Sequence, residues 1–156
     1  MPNTSTPAQY VILLVDMAES MGCDQAALLA GTSLAESGMA GIGARIRDAD
    51  FGRLANNALA LTGDPALGLK LGMRLNLSAH AILGQAFLTC HDLSQVMDLF
   101  LKYYHLLAPA LQLEFDLRDE RCVLTTVSDP GDIPEEFSYE LVYGAILNTL
   151  RGLLNL

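Results

Sequence analysis

The sequence predicts a mainly helical α+β fold with one β-hairpin, at about residues 111–128, as part of a small antiparallel sheet. Apolar residues recur at three- and four-residue steps through most of the chain, which is the spacing of amphipathic helices. Between residues 111 and 128 the spacing changes to alternation of apolar and polar residues, which is typical of strands with one buried face. A length of 156 residues suits one globular domain, so we expect residues 1–156 to form a single domain.

Two helices and a connector are predicted before residue 48. The first helix opens at Pro7, which suits the first turn of a helix, and closes at Gly22. Asp24 is placed to cap a short second helix over residues 25–30. Residues 32–47 are rich in glycine and lack periodicity, so we expect an irregular connector there.

Two further helices are predicted between residues 48 and 75. Helical spacing of apolar residues returns at Asp48 and continues to the tripeptide Gly-Asp-Pro at residues 63–65. Gly63 ends one helix, Asp64 caps the next and Pro65 is its first residue, so a fourth helix is predicted over about residues 65–75. Gly68 and Gly72 lie four residues apart on one face of it, where they would let another helix approach closely.

The next segment predicts a short helix, a longer helix and the hairpin. The short helix covers about residues 82–88, and the longer one is capped by Asp92 and ended by Pro109. Strands over residues 111–118 and 121–128 then form the hairpin.

Residues 134–156 predict a long helix whose apolar arc is wide enough to need two neighbours. Four residues of this arc are predicted to form an interface with another subunit: Leu141, Ile146, Leu150 and Leu153. No Gly or Pro that would end this helix follows it. A two-stranded hairpin is only marginally stable by itself. We therefore expect the covering elements to lie beyond residue 156 and the chain to be the front part of a longer domain.

Charge and composition exclude several classes of function. Nine Lys and Arg against eighteen Asp and Glu give a net charge of −9. Because a negative chain repels the phosphates of nucleic acids, we expect no nucleic-acid binding by this segment. Residues 91–156 alone hold four bases and eleven acids, a net charge of −7.

The three cysteines form no paired motif, and the apolar run at residues 10–15 is too short for a signal peptide or a membrane span. These features predict a cytoplasmic protein without a membrane partner.

The residue types that carry catalysis do not form a recognisable site. The three histidines have no Cys or carboxylate partner at ligand spacing, so no metal is expected. No G-x-S-x-G motif occurs, and the adjacent Cys90 and His91 would point in different directions. The glycines match neither the P-loop nor the G-x-G-x-x-G pattern. We therefore predict a protein that is not an enzyme and needs no cofactor.

Three motifs carry a family resemblance: GCDQAALLAG at residues 22–31, LTGDPALGLKLG at 61–72 and LGQAFLTCHDL at 83–93. In order and spacing they resemble the N-terminal effector domain of AraC-type transcription regulators, in the arabinose-binding-like subgroup. The likeness covers nearly the whole chain. This sequence has His91-Asp92 where the family usually has Pro-Thr, and Asp is as good a helix cap as Thr.

The resemblance implies a sensor of a small-molecule effector that forms a homodimer and controls a separate C-terminal helix-turn-helix domain. DNA would be bound only through that domain, which has no counterpart in this chain. Five residues that combine a polar group with apolar surroundings are candidate ligand contacts: Arg74, His80, Tyr103, Tyr104 and Thr126. Neighbouring tyrosines on a helix face about a hundred degrees apart, so at most one of Tyr103 and Tyr104 is expected inside a cavity.

Two alternatives stay open. In the first, the chain is a stand-alone interaction module, a truncated regulator whose residues 137–154 pair with another copy or with a full-length regulator. In the second, it is an enzyme whose nucleophile and base form no recognisable motif.

Overall fold

The computed structural model describes residues 5–39, 42–76, 81–108, 112–118, 121–127 and 131–154, and at residues 81, 82, 117, 118 and 122 the description covers the backbone alone. Helices make up most of these residues, and two small antiparallel sheets of two strands accompany them. The mainly helical α+β class is therefore confirmed.

The amino-terminal part begins with a short strand and two helices. Strand β1 (Ser5–Pro7) leads into helix α1 (Ala8–Ser20), and helix α2 (Gln25–Leu29) follows. Asp24 caps α2 as predicted, because its carboxylate accepts a hydrogen bond of 3.0 Å from the Ala27 N–H.

The prediction of an irregular connector over residues 32–47 was wrong for two segments. A short helix α3 (Leu34–Ser37) and a strand β2 (Arg45–Arg47) form there. β2 pairs antiparallel with β1, so that Thr6 lies opposite Ile46. A strand of three residues shows no periodicity of its own, and its partner is about 40 residues away, so the pairing depends on tertiary structure.

Helices α4 (Asp48–Thr62) and α5 (Leu67–Gly72) follow β2. Gly63 ends α4 with a φ of +62°, a left-handed conformation that suits glycine. Asp64 accepts a hydrogen bond from the Ala66 N–H, and the ammonium group of Lys70 beside it holds the pKa of the Asp64 carboxyl below its usual range. α5 is shorter than the predicted 65–75, since its last turn tightens into a hydrogen bond from the Arg74 N–H to the Leu71 carbonyl.

The second half of the chain contains helices α6 (Ala81–Leu88) and α7 (Leu93–Tyr103) and the hairpin. Asp92 caps α7 as predicted, accepting from the Gln95 N–H at 2.9 Å, and a 3₁₀ turn at Tyr104–Leu106 closes the helix. The predicted stop at Pro109 lies outside the described residues. Strands β3 (Leu113–Arg118) and β4 (Arg121–Thr126) pair antiparallel, which confirms the hairpin.

Helix α8 (Glu135–Leu154) crosses α5 at very short range. A Cβ atom added at Gly68 would lie 2.4 Å from the Phe137 carbonyl oxygen, and one added at Gly72 would lie 2.4 Å from the Leu141 carbonyl oxygen. Gly144 of α8 likewise has no side chain at the point where it contacts α5. The predicted role of Gly68 and Gly72 in close helix packing is therefore confirmed.

A third close approach fixes the start of α8. A Cβ atom added at Gly52 in α4 would lie 2.1 Å from the Asp132 carbonyl oxygen, so the segment that enters α8 lies directly on α4. The rings of Phe51 and Phe137 meet edge to face beside it, with centroids 6.1 Å apart.

Two apolar clusters form the core. The first cluster is built from α1, α2, α4, α5 and the amino-terminal half of α8, and it includes the fully buried Val11, Leu14, Phe51, Leu54, Leu67 and Leu71. The second cluster joins α6 to α7 through Leu83, Phe87 and Val96, and Leu153 of α8 packs against it. Among the described helices, none combines the length and the apolar character that crossing a membrane requires.

Gly72→Ala is expected to lower the free energy of unfolding by about 3 kcal/mol, because the new methyl group would force the α5 and α8 backbones apart. Gly152→Ala is the matched control, since nothing lies within 4 Å of its added Cβ atom and alanine favours a helix by roughly 0.5–1 kcal/mol. Urea unfolding of both variants checks this. Equal stabilities would contradict the close crossing.

Asp50 links α4 to α3 and to β2. Its carboxylate accepts hydrogen bonds of 2.8 Å from the Ser33 N–H and hydroxyl and of 3.0 Å from Arg47 Nε. Burial raises the pKa of Asp50, but the hydrogen bonds from Ser33 and Arg47 outweigh burial and hold the pKa below its usual value.

Asp50→Asn is expected to cost roughly 1–2 kcal/mol at pH 7, where the wild-type carboxylate is charged and bonded. Because the folded pKa is depressed, this stabilisation is present above the ordinary pKa of 3.8 and disappears as the pH falls through the folded value. Urea unfolding at pH 7 and at pH 2 to 3 measures the change, with the exposed Asp16→Asn as control. A difference that did not shrink in acid would contradict the assignment.

Candidate functional site

A cavity of about 100 Å³ lies between the two apolar clusters. Its wall draws on β1, α1, α4, α6, α7 and α8, together with residues of the connecting segments. Most of the lining side chains are apolar, which is typical of pockets for small molecules.

Helix α8 supplies the longest wall of the cavity. Its contribution extends over more than three turns: Ser138, Leu141, Val142, Ala145, Ile146, Thr149 and Leu150. These residues recur at three- and four-residue steps, so one face of α8 is turned to the cavity. The wide apolar arc of this helix is thereby shared between α5 and the cavity.

Helices α6 and α7 form the opposite wall, which is rich in aromatic rings. Phe87 comes from α6 and Phe100 from α7, and Tyr104 follows at the end of α7. The rings of Phe100 and Tyr104 pack against each other with centroids 5.7 Å apart. This wall therefore offers stacking surfaces to an apolar or aromatic group.

Three polar side chains of β1, α1 and α4 also line the cavity. The Thr6 hydroxyl donates a hydrogen bond of 2.8 Å to Asp48 Oδ1, and both side chains are buried. Tyr10 is buried beside them, and burial raises the pKa of its hydroxyl although the charge of Arg45 opposes the shift. The pairing of β1 with β2 brings Thr6 and Asp48 together across 42 residues of sequence.

Two tyrosines tie the hairpin to the helices that wall the cavity. The Leu113 N–H donates a hydrogen bond of 3.0 Å to the Tyr104 hydroxyl, which holds the first residue of β3 against the end of α7. The hydroxyl groups of Thr126 and Tyr143 hydrogen-bond each other at 2.8 Å, which ties β4 to α8. The hairpin is therefore anchored on both sides of the cavity.

Of the five ligand residues predicted from the sequence, the four that the structure describes do not line one common cavity. Tyr104 lines the cavity, whereas the Tyr103 ring packs on the other side of α7, where Lys102 Nζ lies 5.2 Å from its centroid. Arg74 is exposed at the end of α5, and Thr126 is bonded to Tyr143 away from the cavity. His80 lies outside the described residues.

The four predicted interface residues make contacts within the chain. Leu141 is buried in the first cluster and also lines the cavity. Ile146 and Leu150 line the cavity as well, and Leu153 packs on the second cluster. Leu141 is buried, whereas Ile146, Leu150 and Leu153 are half-buried, so these side chains face the cavity and the second cluster, and their role in an interface stays a prediction.

Sequence reasoning missed most of the cavity wall. The stripe of Val96, Phe100 and Tyr104 at four-residue steps was visible as a helix face, and that periodicity is the signal that could have located the α7 wall. Thr6 and Asp48 gave no such signal, because each reads as an ordinary residue beside a helix start.

Within the described ranges, no three His, Cys, Asp or Glu side chains lie together as metal ligands do. Cys23 and Cys90 carry free thiols, and neither lines the cavity.

Comparison with known proteins identifies the family. Residues 22–155 match the family described as the N-terminal arabinose-binding domain of AraC transcription regulators. Over 121 residues the chain is 39% identical to the ornithine utilization regulator of Pseudomonas aeruginosa strain PAO1. That alignment covers 78% of this chain and 36% of the relative, so the chain spans about a third of that protein's length.

The chain therefore belongs to the family of N-terminal arabinose-binding domains of AraC transcription regulators. This confirms the resemblance of its three sequence motifs. The matching family and the relative are regulators of transcription rather than enzymes.

Tyr104→Phe keeps the aromatic wall but removes the acceptor of the Leu113 N–H. We expect a loss of about 1–2 kcal/mol in the free energy of unfolding and faster hydrogen exchange at the Leu113 amide. Tyr103→Phe is the neighbouring control and is expected to stay within about 0.5 kcal/mol of the wild type. Unchanged exchange at Leu113 in Tyr104→Phe would show that this bond does not hold the hairpin.

Proposed function

We propose that this chain is the effector-sensing part of an AraC-type transcription regulator, and that the effector is a small molecule bound in the cavity beside α8. The observation that carries the proposal is an apolar cavity between two core clusters in a chain of this family. Effector binding changes dimerisation, and with it the affinity of a separate C-terminal helix-turn-helix domain for DNA.

The net charge of the chain supports the proposal that this part binds the effector and a separate domain binds DNA. With a net charge of −9 the chain repels DNA phosphates, so the other domain makes the DNA contacts. A regulator of this kind works where the DNA of the cell lies, and we propose a cytoplasmic location for it.

The positions of the two clusters suggest how binding is transmitted. α8 is held rigidly on the first cluster, because the Gly68 and Gly72 crossing leaves no space for it to shift toward α5. The second cluster lies on the other side of the cavity, and the hairpin is bonded to both α7 and α8. A ligand that fills the cavity draws α7 toward α8, and the surface that α7 and the hairpin present to a partner changes.

The lining argues against a sugar as the effector. Thr6 and Asp48 are bonded to each other, and the Tyr104 hydroxyl accepts from Leu113. A sugar carries a hydroxyl on nearly every carbon, and in this apolar cavity several of them would stay unpaired at a cost of about 1–3 kcal/mol each. We therefore propose an effector with an apolar body and few polar atoms.

Ile146→Phe tests the cavity as the binding site, because the larger side chain is expected to occupy the space that a ligand needs. The probe is 1-butanol, and at ten times its dissociation constant we expect it to raise the Tm of the wild type by roughly 3–6 °C. In Ile146→Phe we expect at least a tenfold loss of affinity. Leu147→Phe is the matched control, since Leu147 is the next residue and is 49% exposed.

Two further readouts test the sensing role. Bound probe is expected to slow hydrogen exchange in α7 and β3, and light scattering with and without the probe reports the association state. Equal affinity in Ile146→Phe and the wild type would refute the cavity as the site. Binding that altered neither hydrogen exchange nor association would refute the transmission to the dimer.

A further inference from the structure

The described wall of the cavity contains one acidic side chain, Asp48. It is 4% exposed, and no Lys, Arg or His is among the described residues that line the cavity. A buried carboxylate is costly unless hydrogen bonds or a cation compensate it. What Asp48 contacts therefore bears on what the cavity holds.

Two neighbouring arginines hydrogen-bond to other residues. Arg45 Nε donates a hydrogen bond of 2.8 Å to the Ser5 hydroxyl, and the Arg47 guanidinium pairs with Asp50 at 2.9 Å. The charge of Arg45 still acts on Tyr10 beside Asp48. Asp48 Oδ1 accepts a hydrogen bond from the Thr6 hydroxyl, and the positive end of the α4 dipole lies at Asp48. Within the described residues Asp48 forms no salt bridge of its own.

The size of the cavity indicates a small ligand. The lining follows α8 from Ser138 to Leu150, a length of roughly 18 Å at 1.5 Å per residue. The volume of about 100 Å³ limits the ligand to a small molecule. A short unbranched chain that lies along α8 fits this volume.

We propose that the cavity binds a short linear alkylamine, whose ammonium group pairs with Asp48 and whose apolar chain lies between α8 and the Phe100 side of α7. An ammonium group brings three N–H donors and neutralises the carboxylate, and charge-assisted hydrogen bonds are about twice as strong as neutral ones. A carboxylate-bearing ligand is disfavoured, because it would meet Asp48 and no cation among the described lining residues. This inference rests on the proposed function, since it names the ligand class of the same site.

The test compares three probes of equal chain length on the 156-residue chain at pH 7: n-butylamine, 1-butanol and butyrate. Calorimetric titration and the shift in Tm measure their affinities. We expect n-butylamine to bind at least tenfold more tightly than 1-butanol, and butyrate to show no binding at concentrations that saturate the amine. Equal affinity of amine and alcohol, or tighter binding of butyrate, would overturn the assignment of Asp48.

Asp48→Asn removes the charge and keeps the size, and its side-chain oxygen can still accept from Thr6. We expect this variant to bind n-butylamine at least tenfold more weakly and 1-butanol within threefold of the wild type. Asp98→Asn, at an exposed position on the groove between α6 and α7, is the control and is expected to change neither affinity. The comparison of probes on the wild type decides the question even if Asp48→Asn does not fold.

The outcomes separate the two proposals. If n-butylamine binds and the Ile146→Phe variant abolishes that binding, but Asp48→Asn leaves it unchanged, the cavity is the site and the alkylamine assignment is wrong. If none of the three probes responds to Ile146→Phe, both the cavity as effector site and the alkylamine are refuted.

Discussion

The close crossing of α5 and α8 is the contact on which the rest of this structure depends. Gly68 and Gly72 remove the side chains that would separate the two backbones, and Gly144 does the same from the other helix. The contact area gained at this distance comes from many small dispersion contacts that any added methyl group would lose. Once α8 is placed, one side of its apolar arc is covered by α5, and the other side is left to face α7 and the hairpin.

The cavity follows from that placement. α8 contributes to both apolar clusters, but the two clusters do not close completely against each other, and the space between them is lined by Phe87, Phe100 and Tyr104 on the far side. An unfilled apolar space forfeits dispersion contacts, so a ligand that fills it adds stability to the arrangement of the clusters. This links ligand affinity to domain conformation through packing alone, which suits a sensor.

The polar pair Thr6 and Asp48 at the cavity depends on a different constraint, the pairing of β1 with β2. This small sheet sets Thr6 beside Asp48 and leaves Arg45 and Arg47 bound to Ser5 and Asp50. The result is a wall whose described residues include one carboxylate and no Lys, Arg or His. Family membership identifies the kind of domain, whereas the chemistry of the ligand follows from which few polar side chains reach this wall.

The sequence by itself determined the local structure: the caps at Asp24 and Asp92, the end of α4 at Gly63, the alternation of the hairpin and the bare face of Gly68 and Gly72. Each of these depends on residues within a few positions of one another, and periodicity records such contacts. Only the tertiary structure decided the β1–β2 pairing, the short α3, the inward direction of Ile146 and Leu150 and the composition of the cavity wall. Those features join residues about 17 to 140 positions apart. The packing of whole helices brings these residues together, and no local pattern encodes it.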